Sequence, residues 1–161
     1  MQPQMFQPDE NGIYATVGVS APRSWVAIMI HLMLGAILIY TALAAQPALH
    51  WQIFLLVFGA DMLWQAERLR RTQKRSILLT ETELRDSDGQ ILATLEDIEK
   101  IERGAFAFKP SHGFTVVTKT KQKWSRAPGL WWRFGRRLGI GGVTQAGQAK
   151  FMAEQLAQRI G

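Results

Sequence analysis

The chain has 161 residues, with 19 Lys and Arg against 13 Asp and Glu, a formal net charge of +6 and no cysteine. Lack of cysteine excludes disulfides and thiolate metal sites, and the positive balance favours anionic partners. The mean hydropathy of -0.04 is that of an ordinary soluble protein only because an apolar first half is averaged with a charged second half.

Residues 1–24 are rich in Gln and Pro and read as a flexible tail, with a short apolar patch at Tyr14 to Val19 resting near a membrane surface. Trp25 to Ala45 is an unbroken apolar run without a charge, and residues 50–67 repeat the pattern. At about 1.5 Å per residue the first run matches the roughly 30 Å hydrocarbon core of a bilayer. It is too long and too far from the start for a signal-peptide core, so residues 25–67 are expected to form a retained transmembrane hairpin. Gly35, Ala36, Gly59 and Ala60 permit close helix packing, and Trp25, Trp51 and Trp64 suit the interfaces.

Charge sets the orientation. Arg23 alone precedes the first run, the turn around Pro47 is uncharged, and the second run is followed by a basic linker, residues 68–75, with Arg68, Arg70, Arg71, Lys74 and Arg75. Lys and Arg near membrane ends stay cytoplasmic, so both termini are expected in the cytoplasm of a bacterial inner-membrane protein.

From Ser76 the period becomes alternating. Strands are expected at Ile77 to Thr80, Glu83 to Arg85 and Gln90 to Leu95, with Ser87-Asp88-Gly89 as a hairpin turn. Asp97 to Ile101 suits a strand or a short turn. Residues 105–108 and Gly113 to Thr118 read as further strands, and Leu130 to Ile140 is an aromatic, basic segment closed by Gly141-Gly142. Thr144 is a plausible N-cap for a closing helix with an apolar stripe of Ala149, Phe151, Met152, Leu156 and Ile160.

The strands from Ile77, the segment Thr94 to Glu102 (TLEDIEKIE) and the helix from Thr144 resemble the bacterial pleckstrin-homology-like domains of small membrane proteins. Some photosynthetic-complex assembly proteins share that layout. The resemblance covers residues 25–161 and rests on architecture, without an invariant motif. It implies a bent antiparallel sheet or barrel over residues 76–161, capped by the C-terminal helix, so that the whole is a membrane helical hairpin followed by a small α+β domain. It also implies binding or scaffolding rather than catalysis, and supplies no catalytic residues.

Two groups of residues are candidate sites. His31 and Asp61 interrupt the apolar runs about six residues from the same end, roughly 9 Å deep at the helical rise. A carboxylate in hydrocarbon costs about 2.5–3.5 kcal/mol, so Asp61 calls for a partner. That partner is His31, as a hairpin lock or proton relay; alternatively Asp61 reaches toward Arg68 or another subunit while His31 bonds a backbone carbonyl. The second group is Lys119, Lys121, Lys123, Trp124, Arg126, Trp131, Trp132, Arg133, Arg136 and Arg137, cations and aromatics suited to a headgroup layer or a partner protein. A core role for Trp131 or Trp132 stands beside that reading. Glu96, Asp97, Glu99 and Glu102 form an acidic patch that is solvated, pairs with these cations, or receives a basic partner.

Nothing supports catalysis, a metal or a cofactor: the three histidines are far apart in sequence, and Gly139-Ile140-Gly141-Gly142 lacks the spacing of phosphate-binding loops. The sequence therefore points to a non-enzymatic integral membrane protein. Its domain would bind a partner protein, a second copy or anionic lipid, as an accessory subunit or assembly factor. Nucleic acid is the less favoured partner, and the alternative is an oligomeric ion-, proton- or solute-handling protein built on Asp61 and His31.

Overall fold

In the computed structural model, which describes residues 8–103 and 110–160, the order is β1 (Ala15–Gly18), α1 (Ala21–Ala44), α2 (Leu49–Thr72), β2 (Ser76–Leu79), β3 (Glu83–Asp86) and β4 (Ile91–Thr94), then β5 (Ile98–Glu102), β6 (Phe114–Ala127), β7 (Trp131–Ile140) and α3 (Ala146–Ile160). The strands form two antiparallel sheets, β1-β2-β3-β4 and β5-β6-β7, so the fold is α+β with a C-terminal helix. The expected strand at residues 105–108 lies outside the described residues.

The segment before the first helix departs from the expected tail. Ala15–Gly18 pairs with β2 from Ala15 against Leu79 to Gly18 against Ser76, and Ala15 and Val17 are buried in the core. The helical hairpin is therefore inserted between two paired strands. Helix α1 begins at Ala21 rather than Trp25, with Pro22 in its first turn, where the missing N–H costs nothing.

Helices α1 and α2 run antiparallel, 24 residues each, or about 36 Å. The small residues set their approach: a Cβ on Gly35 would lie 3.0 Å from the Gly59 carbonyl oxygen, and one on Gly59 would lie 2.7 Å from Ile39 Cγ1. Among the described residues α1 alone is long and apolar enough by composition to cross a membrane. Helix α2 falls short because His50, Gln52, Asp61 and Gln65 dilute its apolar run and Glu67 to Arg71 is charged. Both helices nonetheless expose large apolar side chains along their length, from Trp25 to Leu43 and from Leu49 to Trp64.

Alternation builds the first sheet, with Ile77, Leu79, Leu84 and Leu92 facing the core. Gly89 supplies the positive φ of the β3–β4 turn. The segment Leu95–Asp97 is a short 3₁₀ turn leading into β5, which resolves the strand-or-turn ambiguity as one of each. Strand β6 runs far beyond Thr118, to Ala127, and pairs with β7 as a long ribbon. Its register shifts between Val117 and Gln122 and again before Ser125, so the ribbon bends. The ends meet: Gly141 and Val143 donate their N–H groups to the carbonyls of Leu130 and Gly129.

Helix α3 lies across β1 and β5 and buries Ala149, Met152, Ala153 and Leu156. Thr144 does not cap it with its side chain; its hydroxyl donates to the His112 carbonyl at 3.2 Å. The entry to α1 is clamped to the start of α3. Ser20 N–H donates to Val143 O at 2.7 Å, Arg23 Nη1 to Thr144 O at 2.9 Å, and Gly18 N–H to Gln148 Oε1 at 2.8 Å.

Candidate functional site

The exit from α2 is held by a buried acid. Asp86 has no solvent exposure, yet its carboxylate accepts Arg75 Nε and Nη2 at 3.1 and 2.7 Å and Trp131 Nε1 at 2.5 Å. Arg75 also pairs with Asp88 at 3.0 Å. A charge removed from water needs this full set of partners. Arg75 is therefore an anchor between helix and sheet, and Trp131, 2% exposed, belongs to the core instead of a contact surface. Nothing in sequence marked Asp86, the last residue of β3 before a polar turn; the one signal was its inward parity with Leu84.

The remaining basic candidates divide by their partners. Arg133 is partly buried, donates to the carbonyls of Lys123, Ile91 and Leu92, and is pushed below the ordinary arginine range by desolvation. Arg136 pairs with Glu99 and bonds Thr118 O at 2.8 Å, while Arg137 reaches Glu102 at 3.4 Å. Lys119 donates to Glu96 O, and Asp97 accepts from Thr120 and Gln122. Most of the acidic patch is thus joined to the β6–β7 ribbon. Trp132 is half-buried with its indole against the backbone at Gly139, where a Cβ would lie 2.3 Å from the ring.

What stays open on the ribbon is Lys121, Lys123, Trp124 and Arg126, joined by Phe134, whose exposure no sequence pattern marks. Trp124 is 61% exposed and Phe134 68%, and Arg126 stands over the Trp124 ring at 5.8 Å. These two rings are exposed large apolar groups set among cations.

At the junction of helices and domain the β6–β7 turn separates two hollows. One, of about 450 Å³, is lined by Ala27, His31, Gln65, Leu69, Pro128 and Trp132, among others. The other, of about 360 Å³, is lined by Trp64, Arg68, Arg71, Arg75, Arg126 and Pro128, with Glu67. Glu67 bonds both Arg70 and Arg71, and its carboxylate raises the Arg70 pKa above the ordinary value. Arg68 instead lies over the Trp64 ring at 4.5 Å. Lys74 is exposed, two residues past the end of α2.

His31 and Asp61 are not joined by a hydrogen bond or ion pair. His31 Nδ1 bonds the Ala27 carbonyl at 2.7 Å, so Nδ1 carries the proton, as in the backbone-carbonyl alternative. Asp61 is half-exposed and has no hydrogen bond or ion pair among the described residues. Among those residues no three His, Asp or Glu side chains converge as a metal site would require. Comparison with family models, curated proteins and solved structures finds no match to this chain.

Proposed function

We propose that the chain is a non-enzymatic integral protein of a bacterial inner membrane. In this reading α1 and α2 span the bilayer as a hairpin, and the sheets with α3 form a pleckstrin-homology-like domain on the cytoplasmic face. The observation that carries it is the belt of exposed large apolar side chains on both helices, from Trp25 to Leu43 and from Leu49 to Trp64. A soluble protein rarely leaves so large a contiguous apolar surface in water. Helix α2 is the less apolar of the two, and its span is supported by packing against α1 through Gly35 and Gly59.

The domain's work is binding. The exposed set Lys121, Lys123, Trp124, Arg126 and Phe134, with the basic hollow beside α2, supports contact with anionic lipid or a partner protein. An accessory subunit or assembly factor of a larger membrane complex is the role that fits. Carbonate washing of membranes followed by affinity purification in mild detergent tests it. Retention in the pellet and a stoichiometric co-purifying protein are expected; release by carbonate would sink the membrane reading, and a monomer free of partners the complex-subunit reading.

One observation favours a second reading. Asp61 has no hydrogen bond or ion pair among the described residues and lies amid the exposed apolar side chains of α2, which suits an oligomer that handles protons or ions through Asp61. An Asp61→Asn protein that retains its oligomeric state and its host's ion homeostasis would dismiss it.

A further inference from the structure

We propose that the hollow between α2 and the β6–β7 turn holds the phosphodiester of one anionic glycerophospholipid, between the guanidinium groups of Arg68 and Arg126. This rests on the membrane-spanning reading of α2 and names the ligand that its cytoplasmic end would take.

Three observations converge. The hollow measures about 360 Å³, room for a glycerophosphate headgroup, and four arginines line it against a single carboxylate. Those arginines are not equivalent. Arg75 is committed to Asp86 and Asp88, and Arg71 to Glu67. Arg68 and Arg126 have no ion pair with any described carboxylate, and each is instead steered by an indole face, Trp64 at 4.5 Å and Trp124 at 5.8 Å. A guanidinium resting on a ring is held in place while its N–H edge stays available for phosphate oxygens.

Depth supplies the third argument. Trp64 is the last exposed large apolar residue of α2, and Arg68 lies one turn further on. Trp marks the interface of a membrane helix, so the hollow opens at the level of the headgroups. Arg126 and Pro128 come from the domain, so the site is complete only when the domain sits against α2. A bound lipid would therefore link the two parts as well as recognise the surface.

The test uses the full chain in nanodiscs, with spin-labelled phosphatidylglycerol and phosphatidylcholine compared for the immobilised fraction. Phosphatidylglycerol is expected to be preferred, and Arg68→Gln with Arg126→Gln together should reduce that preference roughly 30-fold at the ordinary worth of two near-surface cations. Lys100→Gln with Lys150→Gln removes equal charge from exposed positions outside the hollow and should leave most of the preference. Arg68→Lys with Arg126→Lys, which keeps the charge, should give an intermediate loss and guards against a misfolded double variant. Equal selectivity in the wild type and the Gln pair, an equal loss from the lysine control, or full competition by millimolar inorganic phosphate would overturn the proposal. A protein partner that displaces the labelled lipid without dependence on Arg68 and Arg126 would also count against it. Failure to enter nanodiscs at all would instead refute the membrane reading on which it rests.

Discussion

Asp86, Arg75 and Trp131 form one buried polar junction, and the position of the α2 exit depends on it. Asp86→Ala leaves Arg75 with Asp88 alone and orphans the indole N–H, which should cost about 3–5 kcal/mol. Trp131→Phe keeps most of the ring but loses the donor and leaves a carboxylate oxygen underused, at a cost of about 1–3 kcal/mol. Thermal unfolding of the full chain in mild detergent reads both, and an Asp86→Ala protein as stable as wild type would contradict the junction. His31 and Asp61 belong to the same scale with the opposite expectation. With His31 bonded to the Ala27 carbonyl, the single changes to Leu and the double change should be additive within about 0.5 kcal/mol. A larger coupling would restore the direct pair.

At the level of elements, the hairpin depends on close approach at Gly35 and Gly59. A leucine at either position meets backbone or Ile39 and Leu63, and should separate the helices at a cost of about 1–3 kcal/mol or more. Cysteine cross-linking between α1 and α2 should fall in Gly59→Leu; unchanged cross-linking would show that the two helices meet elsewhere. The helices themselves were legible in sequence, because periodicity and length act locally. So were β2, β3, the Asp88-Gly89 turn and the α3 stripe. Strand β1 was not: ATVG carries no turn signal, and its pairing partner β2 arrives only after the whole hairpin. The extent of β6 was hidden for a related reason. Lysines and arginines from Lys119 onward resemble a solvated loop until Glu99, Glu102 and the carbonyls of β4 are brought beside them by sheet pairing. Trp131 and Trp132 are adjacent and alike in sequence, and only the strand's alternation and the Asp86 carboxylate decide which one is interior.

For the whole molecule, the insertion of α1 and α2 between β1 and β2 has a topological consequence. Both helix ends attach to one folded domain, at Ser20–Val143 and Arg23–Thr144 on one side and Arg75–Asp86 on the other. A hairpin held at two points has little freedom to swivel, so the domain would face the bilayer in one orientation, with the hollow beside Trp64 and Arg68 at the headgroup level. The basic run at residues 68–75 carries the charge bias that suggests sidedness; the β1–β2 pairing adds an independent reason for residues 9 and 111 to share a side.

The absence of native cysteine makes that claim open to a direct measurement. Single cysteines at Asp9, Gln46 and Ser111 can be probed with a membrane-impermeant maleimide in intact cells whose outer membrane has been permeabilised. Gln46→Cys should be labelled in intact cells, and Asp9→Cys and Ser111→Cys only after lysis of the inner membrane. Labelling of Asp9→Cys on the opposite side from Ser111→Cys, or protection of Gln46→Cys on both sides, would contradict a spanning hairpin with one domain built from both its ends.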